Sequence, residues 1–288
     1  MSDPSPTVID QPAALAAWSD GQRLANKHIA LVPTMGALHE GHLALISEAR
    51  KRADVVIVSI FVNPLQFNRR DDFDAYPRSL DNDLAICRRC GVDAVYAPLA
   101  SAMYPDGFQT HVEPGVLAEV LDGPSRPGHF RGVTTVVAKL FGAARPHAAV
   151  FGHKDYQQLA IIRRMVADLD MAIEIVGVPT VREPDGLALS SRNRRLTPAE
   201  RAVAVCVPNA LAAIAEAATN GERDCRRLQA IGQAVIDAQP LARLEQLESV
   251  DPDTLGPLAI IDQQLPGALA VIAVWFGEVR LIDNRLLG

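Results

Sequence analysis

The chain has 288 residues, 49% of them hydrophobic and 22% charged, with a formal net charge of −6. That length exceeds one ordinary domain, so a large domain with a smaller companion is the expected organisation. An acidic balance argues against a nucleic-acid-binding surface as the main feature, because phosphate backbones demand a basic stripe, and it leaves room for a small anionic ligand.

Predicted elements alternate along the first 180 residues. An apolar strand at 29–32 is followed by a helical pattern at 43–52, a strand at 55–61, a helix at 79–90 and a strand at 94–96. A helix at 134–141, a strand at 148–151, a helix at 156–169 and a strand at 173–178 complete the series. Val- and Ile-rich strands between helices with apolar residues three or four apart predict an α/β fold, a doubly wound parallel sheet covered on both faces. Ligands in such sheets bind past the carboxyl ends of the strands. After Gly186 the pattern changes: 199–238 is Ala-rich with helical spacing, and 269–283 reads as strands around a turn at Gly277. This describes a small α+β domain, with the division at 183/184 giving domains 1–183 and 184–288.

No uninterrupted apolar stretch is expected to reach spanning length, and Met1-Ser2-Asp3-Pro4 lacks the basic and apolar regions of a signal peptide. A cytoplasmic protein without a membrane partner is the expectation. Cys87 and Cys90 form a C-x-x-C, but Leu84, Ala85 and Ile86 lead into it with helical character, so these read as reduced helix cysteines.

His39-Glu40-Gly41-His42 lies between the first strand and the next helix, after Pro33-Thr34-Met35-Gly36. This H-x-G-H points to chemistry at a phosphorus atom. When an oxygen nucleophile attacks the α-phosphorus of ATP, charge grows on the phosphoryl oxygens and the departing pyrophosphate, and imidazole N–H groups can donate to it. Gly41 lets backbone approach phosphate, and a helix starting there turns its unpaired N–H groups toward the anion.

Other polar groups follow later strands. Gln66, in Asn63-Pro64-Leu65-Gln66-Phe67, can bind a carboxylate without an ion pair that would reduce its electron density. Lys154, in Gly152-His153-Lys154-Asp155-Tyr156-Gln157-Gln158, can neutralise phosphate, Asp155 can accept from a ribose hydroxyl or help hold magnesium, and Gln158 can face a pocket as Gln66 does. Leu189-Ser190-Ser191-Arg192-Asn193 either wraps outer phosphates or is a polar interdomain loop with Ser190 or Ser191 as a cap. Arg126, His129 and Arg131 either contact anionic substrate or order a pocket rim. Val136 and Val137 by default pack in the core. The absence of G-x-S-x-G, P-loop and G-x-G-x-x-G motifs weighs against serine hydrolases, P-loop NTPases and dinucleotide dehydrogenases.

In motif order, the segments 33–42, 59–67, 76–78, 126–133, 154–158 and 185–193 resemble the pantoate-β-alanine ligase (pantothenate synthetase) family. The resemblance implies a Rossmann-like N-terminal domain, a smaller C-terminal lid and usually a homodimer. It implies an enzyme that uses ATP with Mg2+ and no prosthetic group: the pantoate carboxylate attacks ATP to give pantoyl adenylate and pyrophosphate, and the β-alanine amine then displaces AMP. Carried over residue by residue, Met35, Gly36, Ala37, Leu38, His39, Glu40, Gly41 and His42 contact ATP, with His42 the catalytic proton donor and His39 and Lys154 catalytic beside it. Gly152, His153, Lys154, Asp155, Val181, Leu189, Ser190, Ser191 and Arg192 complete the nucleotide site. Gln66 and Gln158 hold pantoate, Gln66 also lies near β-alanine, and Val136 and Val137 wall the pantoate methyl groups. Two positions depart from the family: His153 replaces a common Glu, which leaves it a backbone contact, and Asn82 interrupts the acidic run Asp81-Asn82-Asp83, which leaves magnesium to phosphate and water. The alternatives are another H-x-G-H nucleotidylyltransferase, which would want more cations near its acceptor, and a silent nucleotide sensor.

Overall fold

The computed structural model describes residues 5–68, 70–262 and 267–287. Residues 1–4, read above for a leader, lie outside the described residues. The chain separates into two compact units: one holds the described residues up to Gly152 with Ile161–Val178, and the other holds His153–Ala160 with the described residues from Pro179 onward.

The first unit runs β1 (Thr7–Ile9), α1 (Pro12–Leu24), β2 (Ile29–Thr34), α2 (Glu40–Arg52), β3 (Val55–Ile60), α3 (Arg70–Asp74), α4 (Leu80–Arg89), β4 (Ala94–Tyr96) and α5 (Ala100–Met103). It continues through α6 (His129–Ala144) and β5 (Ala148–Gly152), and after α7 (Tyr156–Asp168) ends with β6 (Glu174–Val178). All six strands are parallel, in the order β1-β4-β3-β2-β5-β6. Ile29, Leu31, Val56, Ile57 and Val58 are fully buried, as continuous apolar strands in a two-sided sheet must be, and each such side chain contributes roughly 1.5–3 kcal/mol. One face packs Ala30, Val32, Val56 and Val58 against Ile46 and Ala49 of α2 and Cys87 of α4.

From β2 the chain winds outward through β3 and β4, then crosses to β5 and β6 on the other side, so the switch point lies between β2 and β5. These two strands pair only at Ala30↔Ala148 and Leu31↔Ala149. Two residues further on stands Pro33, which has no N–H for a ladder. The crevice at the strand ends therefore opens where the backbone stops pairing.

Three differences from the sequence expectation have local causes. Nothing was expected before residue 29: β1 is a three-residue edge strand, too short to show a period, and α1 starts at Pro12 with no acidic residue in its first turn. α2 begins three residues before 43, because two imidazoles cap it. α6 begins at His129 instead of 134, after Gly128 in the left-handed region at φ 75°.

The second unit contains α8 (Pro198–Val203), α9 (Cys206–Thr219), α10 (Cys225–Asp237), β7 (Ala242–Val250), β8 (Ala268–Phe276) and β9 (Val279–Leu287). The three strands form an antiparallel sheet in sequence order. Thr197 and Glu200 make a reciprocal cap at the start of α8. Residues 198–219 are long and apolar enough to cross a membrane by length and composition alone, although Glu200, Arg201 and Glu216 interrupt the apolar run. The helix is interrupted after Val203, and Val207, Leu211 and Ile214 of α9 pack with Ile272, Val274 and Phe276 of β8. β7 was not expected; its register shifts between Leu244 and Gln246 against β8, and that bulge erases the two-residue period.

Candidate active site

The loop that leaves β2 is held from inside. Thr34 Oγ1 donates to the Ser59 carbonyl at 2.7 Å and accepts from the Gly36 N–H at 3.1 Å. Gly36 and Ala37 are both left-handed, at φ 82° and 51°, the second an unusual conformation for a residue with a Cβ. Asp83 of α4, only 2% exposed, accepts from the N–H groups of Ala37 at 2.9 Å and Leu38 at 2.8 Å, one on each oxygen. Successive N–H groups in such a turn make an anion-binding concavity, and here the anion is the protein's own carboxylate. A Cβ on Gly36 would lie 2.9 Å from Asp83 Oδ2, so this position requires glycine.

His39 is the extended N-cap of α2, and its Nδ1 accepts from the Gly41 N–H at 3.2 Å. His42 returns the contact, its Nδ1 accepting from the His39 N–H at 3.2 Å, and the ring centroids lie 4.2 Å apart. With both Nδ1 atoms accepting, both neutral rings carry their proton on Nε2. The expectation that bare helix N–H groups greet the anion is revised, since two of them are met by imidazoles. The helix end delivers two Nε2–H donors. A Cβ on Gly41 would lie 2.9 Å from His39 Cε1, so the glycine makes room for that ring.

Gln66 ends a one-turn 3-10 helix, Pro64–Gln66, after β3. Buried Asn63 donates to Gln66 Oε1 at 3.1 Å and to the Gly132 carbonyl at 3.0 Å, while its Oδ1 accepts from the Leu65 N–H at 3.2 Å and the Tyr104 hydroxyl at 2.8 Å. Burial pushes the Tyr104 hydroxyl pKa well above the usual phenol value, so it stays a donor. With its oxygen occupied, Gln66 presents its NH2 end, which donates to Met35 Sδ at 3.1 Å. His129 Nδ1 donates to the Gln66 carbonyl at 2.7 Å. Of the two readings of the 126–132 loop, His129 thus supports the rim, and Arg131 pairs with exposed Glu113 at 3.4 Å.

Gly132 is where α6 meets this turn. A Cβ there would sit 2.3 Å from the Leu65 carbonyl oxygen and 2.8 Å from the Gln66 nitrogen. Gly132→Ala is expected to lower the thermal midpoint and weaken acceptor binding, both readable by calorimetry, because backbone has to yield. An unchanged midpoint would contradict this contact.

The apolar site candidates Leu38, Val136 and Val137 are all buried. Leu38 is 6% exposed within the sheet's core, so its side chain serves packing. Val136 and Val137 are buried on α6, and Glu40 is exposed in the first turn of α2. The Cys87 thiol is pushed up to about 12, chiefly by burial and further by Asp83, which suits a packed helix residue.

In the second unit, His153–Asp155 forms one 3-10 turn leading into α7. The Lys154 ammonium lies 3.7 Å from Asp155. Asn284 of β9 donates to the carbonyls of His153 and Lys154, each at 2.9 Å. Gln158 is half-buried on α7. Val181 accepts from the Leu189 N–H at 3.0 Å, closing a tight hairpin. Ser190 Oγ accepts from the Arg192 N–H at 3.2 Å, so this serine is a cap, and Ser191 begins the turn it caps. Lys154, Ser190, Arg192 and Asn193 line one pocket.

Among the described residues, no group of three or more His, Cys, Asp or Glu side chains is placed to hold a metal ion. Asp83, the buried member of the 81–83 run, is committed to backbone.

Asn63, Asp83, Tyr104 and Asn284 were not assigned roles from sequence. The usable signal was a polar side chain on an apolar face: Asp83 stands one turn before buried Cys87 on α4 and needs a partner.

Comparison with known proteins matches the family described as pantoate-beta-alanine ligase over residues 7–286. The pantothenate synthetase of Geobacter sulfurreducens is 50% identical over 281 residues, covering 98% of each chain. That of Citrifermentans bemidjiense is 52% identical over 281 residues, covering 98% of this chain and 99% of the other. The crystal structure of pantothenate synthetase from Thermus thermophilus aligns with a TM-score of 0.90 at 45% identity, covering 97% of this chain and 99% of that one. Pantoate-beta-alanine ligase from Francisella tularensis, complexed with beta-gamma ATP and beta-alanine, aligns with a TM-score of 0.78 at 35% identity, covering 98% and 97%. The chain belongs to the pantoate-β-alanine ligase family.

Proposed function

We propose that this enzyme condenses pantoate with β-alanine in two ATP-dependent steps. A pantoate carboxylate oxygen bonds to the α-phosphorus of ATP as the bond to the pyrophosphate oxygen breaks, leaving pantoyl adenylate. The unprotonated amine of β-alanine then bonds to the acyl carbon, AMP leaves, and pantothenate is released. The observation that carries this reading is the pair of Nε2–H donors at the head of α2, fixed by their own caps. They suit charge that develops on phosphoryl and pyrophosphate oxygens, where a preset donor is worth most. Met35, Gly36 and Ala37 approach the nucleotide through the same clamped loop.

Lys154 and Arg192 supply cations for the phosphates, with Ser190, Ser191, Val181, Leu189, Gly152 and Asp155 around the nucleotide. Gln66, whose NH2 end lies beside Met35 Sδ, donates to the pantoate carboxylate or hydroxyl, and Gln158 does the same from α7. Val136 and Val137 suit the branched methyl groups. Magnesium, where it accompanies ATP, would be held by phosphate oxygens and water and would neutralise charge on the polyphosphate. The reading extends to a cytoplasmic homodimer. It draws support from the Francisella relative, which was crystallised with an ATP compound and β-alanine.

The test is pyrophosphate release. We expect release from ATP only when pantoate is present, and AMP with pantothenate once β-alanine is added. Equal release with a phosphorylated acceptor, or none with pantoate, overturns the reading.

A further inference from the structure

We propose that Asp283 and Asn284, neighbours on β9, are positioning residues that jointly set the two phosphate-facing arms, Lys154 and the turn at 190–192. The proposal rests on the nucleotide role given to those arms above. Asn284 acts on the first arm. Both hydrogens of its amide go to consecutive carbonyls, His153 and Lys154, at 2.9 Å, which fixes the backbone from which the lysine springs. The side chain is only 8% exposed, so water is a poor substitute for either bond.

Asp283 acts on the second arm. It is paired with Arg182 through two contacts, 2.6 Å to Nη1 and 3.0 Å to Nη2, a fork geometry that fixes direction as well as distance. Arg182 Nη1 also donates to the Gly186 carbonyl at 3.0 Å. The hairpin it braces is tight: Arg182 bridges Ala188, the Glu183 N–H reaches the Leu187 carbonyl at 2.8 Å, and the Leu189 N–H reaches Val181. The next residue is Ser190. Asn193, at the far side of the turn, donates to Ala188 at 3.0 Å and Glu183 at 2.8 Å, so the turn is fastened back onto the same hairpin.

The two arms are thus referenced to adjacent residues of one strand, although Lys154 and Asn284 are 130 positions apart. Asp283 further accepts from the Asn284 N–H at 2.8 Å. Consecutive residues on a strand point to opposite faces, and this local bond ties the two fasteners together. Neither side chain needs to touch substrate. Their work is to keep an ammonium and a guanidinium at a set separation, which matters because misplacement by about 1 Å can cost on the order of 100-fold in rate.

The test uses the full-length enzyme, after the wild type has shown pantoate-dependent turnover; lack of that turnover would sink the functional reading and not this proposal. Asn284→Ala is expected to lower kcat/KM for ATP by about tenfold, in the range seen when supporting residues are removed from a site. In a Lys154→Ala background the same change should have little further effect, because residues that act through one another are not additive. Asp283→Asn, which keeps size and one hydrogen bond, should behave likewise toward Arg192→Ala. Fully multiplicative effects in both pairs overturn the proposal, as does a fallen thermal midpoint with kcat/KM for ATP unchanged. Asn284→Ser keeps one donor and should fall between the wild type and Asn284→Ala; it serves as the folded comparison if the alanine variant is unstable.

Discussion

His42→Ala is expected to reduce pantoate-dependent pyrophosphate release by about 100- to 1,000-fold, the loss seen when one preset donor to a developing oxyanion is removed. The protein should remain folded. The ring also closes the cap of α2 by accepting from His39 N–H, and losing a cap costs about 0.5–2 kcal/mol, a minority of the 5–15 kcal/mol or so by which ordinary domains are stable. His42→Asn separates the two roles, since a carboxamide oxygen can still accept at the helix start but brings no imidazole N–H to the phosphate. We expect its thermal midpoint to recover toward the wild type while its turnover stays low. Near-normal turnover in His42→Ala would refute the assignment.

The second large effect is expected at Asp83. Asp83→Ala strips the acceptors from two backbone N–H groups at a buried position, and each unsatisfied donor costs roughly 1–3 kcal/mol. The loop has little to hold Ala37 in its left-handed conformation once those bonds are gone, so the loss should appear twice, as a lower denaturation midpoint and as weaker ATP binding. Asp83→Asn is not a mild variant, because its NH2 end would oppose one N–H. A surface acid would show neither effect; an unchanged midpoint with unchanged ATP affinity would remove Asp83 from the account.

The sheet was readable because its strands are buried on both faces and stand out as uninterrupted apolar runs, such as Ile29 to Val32. The H-x-G-H was readable as a strand-to-helix junction, but the helix start was misjudged: histidine is an uncommon cap, and only the geometry reveals rings serving the backbone. Bonds that reach far along the chain left fainter traces. Asp83 reaches residues 45 and 46 positions away, and Asn63 reaches Gly132 across 69. A periodic pattern reports which face a residue occupies and carries no information on which distant backbone group it will meet. Gln66 illustrates the limit. Its place after a strand suggested a pocket amide, whereas the end of the amide it presents depends on Asn63 and Tyr104, which local spacing does not connect.

The internal carboxylate under the turn at 36–38 bears on the thermodynamics of ligand capture. Fixing the backbone of a residue costs roughly 1–2 kcal/mol in conformational entropy. Here that ordering takes place as the chain folds around Asp83, before any nucleotide arrives. On the nucleotide role proposed for this turn, affinity for ATP is not diminished by the need to organise it, and capture need not wait for the loop to find its shape.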